Sequence, residues 1–171
     1  MPDNDREIFI AEDEFIVSKT DRKGKITYGN RIFIEISGYA ESELLGQPHN
    51  IIRHPDMPRA VFQLLWQTLQ QGSEFFGLIK NRTKQGNFYW AFANVTPSYD
   101  PKGQLLGYYS VRRCPRRDGV QTITQIYQAM RQEESRHNNP REGMDASSRL
   151  LQDHVKESGV SYEELILSFA A

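Results

Sequence analysis

Only one cysteine, Cys114, stands in the 171 residues, which excludes an intramolecular disulfide and any multi-cysteine zinc site and points to a reducing, cytoplasmic setting. No run approaches the ~20 apolar residues that span a bilayer. The opening MPDNDRE is acidic where a secretory leader is basic, so neither export nor membrane insertion is expected. A charge excess of one sign is missing too: 21 Lys and Arg against 22 Asp and Glu leave a formal net charge of −1. That balance lacks the broad basic footprint of a nucleic-acid binder, and the arginines at 112, 113, 116 and 117 form only a short patch. Internal repeats are absent. What remains, 38% hydrophobic and 11% aromatic residues, suits one soluble domain with a tail.

Chemistry concentrates in Gly46 to Pro58, GQPHNIIRHPDMP. Arg53, His54 and Asp56 fall within four residues, with His49 nearby, and Pro48, Pro55 and Pro58 forbid one continuous helix. The passage reads as a turn and short helix over a cavity, against the plainer alternative of a solvated loop whose charges pair with one another.

Two short strands open the domain, Phe15 to Thr20 and Lys25 to Gly29, joined by the turn Asp21-Arg22-Lys23-Gly24. Asn30 is placed to N-cap a helix through Ile32, Phe33 and Ile36 that ends at Gly38, and Ser42 to Gly46 is a single further turn. Arg59 to Gln71 is the strongest helix, with Val61, Leu64, Leu65, Thr68 and Leu69 on one face, Trp66 at its edge and Gly72 as the stop. Phe75 to Thr83, Phe88 to Ser98 and Leu105 to Arg113 then form a meander with turns at Lys84 to Asn87 and Asp100 to Gly103. The plan is α+β: a five-stranded antiparallel sheet with short helices on one face, enclosing a cavity, plus a C-terminal helical extension. In that extension Gly119 to Glu134 reads as an exposed amphipathic helix wanting a partner, 135–148 as a polar linker, and Ser161 to Ala170 as a last helix.

This order, with Asn30, Gly38-Tyr39, Leu45-Gly46 and Lys84-Gln85-Gly86, resembles a PAS sensor domain over about residues 12–114. Residues 1–11 are then an N-terminal cap, 115–134 a signalling helix, and 135–171 the linker and C-terminal helix. More narrowly, SGYAESELLGQPHNIIRHPDMP, IKNRTKQGNFYWAFANVTP and GYYSVR resemble the FAD-binding PAS domain of bacterial aerotaxis receptors. The resemblance implies that Arg53 and His54 hold FAD, that Asp56 shapes the same passage, and that Asn30 and Asn81 matter for a flavin-dependent signal. Compared with the flavin blue-light sensors of the same superfamily, His49 stands at the reactive cysteine, Ala91 at the second flavin-facing asparagine and Arg112 at the glutamine facing the ring. Those departures argue against a cysteinyl-flavin light sensor.

An isoalloxazine ring needs an apolar slot with a few edge hydrogen bonds, for which Trp66, Trp90, Phe92 and Asn81 are candidates. Arg53 and His54 could meet the two phosphates, and Arg112 would favour a negatively charged, reduced ring. A tryptophan at such a strand or helix position is more often core than cofactor wall, and Asn81 could simply start a hairpin. The expected function is a flavin redox or oxygen sensor without turnover of its own, passing its state through the last strand and the following helix to a protein partner or output domain. A homodimer through the 119–134 helix or through the N-terminal cap is one assembly the sequence allows. The chain could be a complete small protein or the sensor piece of a longer receptor. Alternatives are a heme-binding gas sensor using His49 or His54, a flavin oxidoreductase, and a cofactor-free interaction module.

Overall fold

The computed structural model describes residues 5–171; residues 1–4 of the expected N-terminal cap lie outside the described residues. Strand β1 (Ile16–Asp21) turns into β2 (Ile26–Gly29) at Gly24, whose φ of 82° is open to glycine at little strain. Asp21 Oδ1 holds that turn by accepting from the Lys23 and Lys25 N–H groups at 2.8 and 3.0 Å. Asn30 then caps α1 (Arg31–Ser37), its Oδ1 accepting from Phe33 N–H at 3.0 Å. Helix α2 (Glu41–Leu44), a 3-10 turn at His49–Ile52 and α3 (Arg59–Gln70) follow.

The meander is β3 (Phe75–Arg82), β4 (Phe88–Tyr99) and β5 (Leu105–Arg113). Among the described residues these five strands form one antiparallel sheet in the order β2-β1-β5-β4-β3. The last strand therefore lies between the first and the fourth. Because side chains alternate across a strand, Ser18, Thr20, Ile79, Asn81, Ala93, Val95, Tyr108, Ser110 and Arg112 share the face under α1–α3. Leu78, Trp90 and Phe92 share the other.

That other face is covered by the chain itself. Helix α4 (Arg117–Ser135) buries Val120, Ile123, Ile126, Tyr127 and Met130 in a cluster with Leu78, Trp90 and Phe92, and the Tyr127 hydroxyl donates to Leu78 O at 2.7 Å. Each such buried side chain contributes roughly 1.5–3 kcal/mol gross, well above the ~1 kcal/mol that Gly119 costs the helix. The helix expected to be exposed thus has its partner in its own sheet, and its apolar face is not open for a homodimer.

The expected polar linker is corrected as well. Residues 140–158 form α5 (Pro140–Ser158), because Asn139 Oδ1 accepts from the Arg141 and Glu142 N–H groups and Pro140 sits where its missing N–H costs nothing. A last helix, α6 (Tyr162–Leu167), starts at a Ser161–Glu164 capping box and sends the Tyr162 hydroxyl to Phe76 O at 2.7 Å.

Candidate functional site

The Gly46 to Pro58 passage is pinned at both rims of the sheet. At one end Gly46 N–H donates to Ile26 O and Ile26 N–H to Gln47 O, both 2.8 Å, while His49 N–H donates to Gly24 O at 3.0 Å. At the other end Arg53 bridges Asn81 on β3, and His54 N–H donates to Lys80 O at 3.3 Å. A four-residue 3-10 turn rising about 2 Å per residue, with extended flanks at about 3.3 Å, reaches about 18 Å. Five strands spaced ~4.8 Å span about as much, so the passage roofs the inner face without slack.

Beneath it lies a cavity of about 230 Å³, walled by α3 through Phe62, Leu65, Trp66 and Leu69 and floored by the sheet. Ala93 is buried at the centre of β4 and leaves the floor low. Trp66, 37% exposed, stands at the opening with Lys23, Pro48 and Asn50, its ring edge-on to Tyr108 at 5.3 Å.

Arg112 dominates the electrostatics. It is 2% exposed, and among the described residues no carboxylate pairs with it. Its Nη2 donates to Ser18 Oγ at 2.7 Å, its Nη1 to His49 Nε2 at 3.3 Å, and its guanidinium lies 4.7 Å from the Phe33 ring centroid. The Ser18 hydroxyl, 2.9 Å from the same His49 nitrogen, donates to it as well, which assigns a neutral imidazole with its proton on Nδ1. Burial pulls Arg112 down to about 10, opposed by the Tyr89 phenol, so it remains a cation at neutral pH. Burial, then the charge of Arg112, pushes His49 down to about 3. His49 retains some surface, and that surface belongs to a ring lining the cavity. Arg53 is also lowered by burial, and its guanidinium carbon lies 3.5 Å from the Phe62 ring centroid.

Buried polar atoms with few partners mark this site. Arg112 Nε has no hydrogen-bond partner among the described residues, and Asn81 Nδ2 and the Tyr89 hydroxyl, neighbours across the β3–β4 pair, have none but each other. Unpaired buried polar atoms are costly. Arg112 and Asn81 both line the cavity, so two polar side chains border an otherwise largely apolar slot.

Of the eight residues expected at the site, Arg53, Trp66, Asn81 and Arg112 line this cavity together. The other four do not. Asn30 is held by the backbone, accepting from Val17 and Phe33 N–H and donating to Phe15 O. Trp90 lies on the opposite face of β4, 6.1 Å from the Tyr127 ring, because alternation places Tyr89 and Ala91 inward; Phe92 shares that face. His54 turns to Phe88, and its Nδ1 accepts from Asp56 N–H at 3.0 Å. Asp56 pairs with Lys80 at 2.8 Å, which lowers its carboxyl. Of the two imidazoles considered for iron, His49 lines the cavity with its Nε2 bonded to Ser18 and Arg112, and His54 lies outside the cavity with its Nδ1 bonded to Asp56 N–H.

Sequence reasoning missed Ser18, Phe33, Phe62 and Ser110. A lone small hydroxyl on a strand carries no local signal, Phe33 read only as helix core, and Phe62 lay off the apolar face assigned to its helix. Among the described residues there is no metal-binding cluster of acidic, histidine or cysteine side chains, and no helix is long and apolar enough to cross a membrane.

A five-stranded antiparallel sheet with a cavity beneath short helices defines a single α+β module. Residues 26–112 match the PAS fold, and the chain belongs to that family. It is 40% identical over 121 residues to the aerotaxis receptor of Escherichia coli (strain K12), covering 71% of this chain and 24% of the receptor. It is 33% identical over 97 residues to the nitrogen fixation regulatory protein of Klebsiella pneumoniae, covering 57% of this chain and 20% of that protein. The chain thus spans about a quarter or less of the length of these relatives. Among solved structures, the light-state structure of the blue-light photoreceptor Aureochrome1 LOV is similar with a TM-score of 0.58 at 19% identity, covering 67% of this chain and 91% of that one. That likeness shows the fold.

Proposed function

We propose that this chain is a flavin-binding redox or oxygen sensor of the PAS fold, with FAD as its cofactor. The observation that carries the reading is Arg112, a buried cation with no carboxylate partner among the described residues, which lines the same cavity as Asn81. These are the donors that an acceptor-edged ring able to take on negative charge requires. The cavity matches the ring portion of such a molecule better than the whole of it, since ligand sites commonly hold ~300–1,000 Å³. The diphosphate end would then lie at the opening, where Arg53 supplies charge. Similarity to an aerotaxis receptor supports the choice of FAD.

Bound flavin supplies reversible electron uptake. The protein residues do the rest. Asn81 and Arg112 would hold the ring edge, Trp66 and Leu69 would wall it from water, and Arg112 would offset charge gained on reduction. An Arg112 guanidinium drawn toward that charge would loosen its hydrogen bonds to Ser18 on β1 and His49 in the roof. That trade is the primary change by which the state of the ring biases β5 and the helices beyond it, within the limit set by the differential contact energy. Output passes to a protein partner or to further domains of a longer protein, and the chain has no turnover of its own.

The test is the absorbance of freshly purified protein in air and after dithionite, followed by release and identification of the chromophore. Yellow protein that bleaches on reduction and releases FAD is the expected result. A Soret band, or a colourless preparation that takes up no added FAD or FMN, would overturn it.

A further inference from the structure

Helix α3 forms one wall of the cavity, yet its own sequence leaves its start uncapped. Pro58 precedes it with no side-chain hydrogen bond, and its first turn holds no acidic residue. The N–H groups at a helix start need acceptors from elsewhere. They come from the far end of the chain: Glu134 in the last turn of α4 accepts from Arg59 N–H with Oε2 and from Ala60 N–H with Oε1, both at 3.0 Å. One turn earlier Arg131 donates to the Pro55 carbonyl in the roof. Helix α5 backs this arrangement, since a Cβ at Gly143 would meet Glu134 O at 3.1 Å. Beyond the capped amides on α3 stands Phe62, the ring against which Arg53 packs.

We infer that Glu134 is a positioning residue through which the α4–α5 pair sets the pose of α3 and thereby the grip of the cavity on its occupant. A negative side chain on the positive end of α3 is a favourable electrostatic contact as well as a cap. Linkage makes the effect reciprocal: an occupant that shifts α3 changes how firmly the C-terminal pair is held. This route runs from α3 to α4 across space and bypasses the covalent continuation of β5 through Pro115. The inference rests on the flavin reading only for the identity of the occupant.

The experiment compares wild type, Glu134→Ala, Glu134→Gln and, as a control on the exposed side of the same turn, Gln132→Ala, all as full chains. Backbone amide exchange is followed by NMR, and release of FAD by stopped flow. Glu134→Ala is expected to speed exchange at Arg59 and Ala60 about tenfold and to speed FAD release several-fold. Glu134→Gln, which keeps one acceptor, should do both more weakly, and Gln132→Ala neither. In the wild type FAD should also slow exchange in residues 131–150, and Glu134→Ala should abolish that distant protection while sparing β5. Unchanged exchange at Arg59 and Ala60 in Glu134→Ala, or unchanged distant protection, overturns the inference. If no variant binds FAD the flavin reading fails instead, and exchange at Arg59 and Ala60 without ligand still decides whether Glu134 positions α3.

Discussion

Arg112 and His49 stand 3.3 Å apart, a guanidinium against a neutral imidazole, with Ser18 Oγ bonded to both. The cation has no anionic neighbour among the described residues, so charge arriving in the cavity acts first on this pair. Arg112→Gln should therefore shift the flavin potential to more negative values, because it removes the group that favours the reduced, charged ring. A tenfold loss of that preference is about 59 mV for one electron. Redox titration of the two proteins checks it, and an unchanged potential would place Arg112 outside the reach of the ring.

His49 makes stability depend on pH. Its pKa is about 3 in the folded chain against 6.5 when free, and burial followed by Arg112 and Arg53 is responsible. Between those values the unfolded state binds more protons, so stability fully present above about pH 6.5 is lost as pH falls toward 3. Denaturation midpoints at about pH 7 and about pH 4.5 should differ more in wild type than in His49→Gln. Equal differences would show that His49 does not titrate as its surroundings dictate.

Arg53 and His54 are neighbours in sequence with different stations. Arg53 lines the cavity opposite Phe62, whereas His54 faces Phe88 and braces the backbone of Asp56. Arg53→Ala should weaken FAD binding by tenfold or more, the scale of one lost charge-assisted contact of roughly 1.5–3 kcal/mol. His54→Ala should weaken it less. Fluorescence titration with FAD decides, and the reverse order would put His54 on the ligand.

Asn30 and Trp90 serve the frame. Asn30→Ala removes a cap and two further hydrogen bonds, and should lower stability by about 1–2 kcal/mol while folded protein keeps its chromophore spectrum. Trp90→Leu thins the packing under Tyr127 and should cost about 1–3 kcal/mol, again with the spectrum intact. Trp66→Leu should do the opposite, altering the spectrum or affinity with a smaller effect on stability. Denaturant melts set beside absorbance spectra separate these outcomes.

How much of this was written in the sequence differs from element to element. The strands were legible because Asp21 to Gly24, Lys84 to Asn87 and Asp100 to Gly103 mark their turns, and α3 because its apolar residues repeat at helical spacing. The face of Trp90 was not. Strand β4 is buried on both sides, so Tyr89, Trp90, Ala91 and Phe92 offer no alternation from which to read the phase. Helix α5 was hidden by a thin apolar stripe, with Ser147 and Leu151 among its few buried residues. Asn139-Pro140, read as linker composition, was its start signal. Within the site, Arg53, Trp66, Asn81 and Arg112 were named in advance. Ser18 and the cap supplied by Glu134 were not, since partners so distant in the chain leave no mark on local pattern.

The roof passage, tied to β2 at one rim and β3 at the other, makes the curl of the sheet and the height of the cavity one quantity. A string tied between the tips of a bow lies closer to the bow as the bow straightens and further from it as the bow bends. Any contact on the outer face that flattens or tightens the sheet, including the seating of α4 against Trp90 and Phe92, is thereby felt as room or crowding around whatever lies beneath His49 and Arg53.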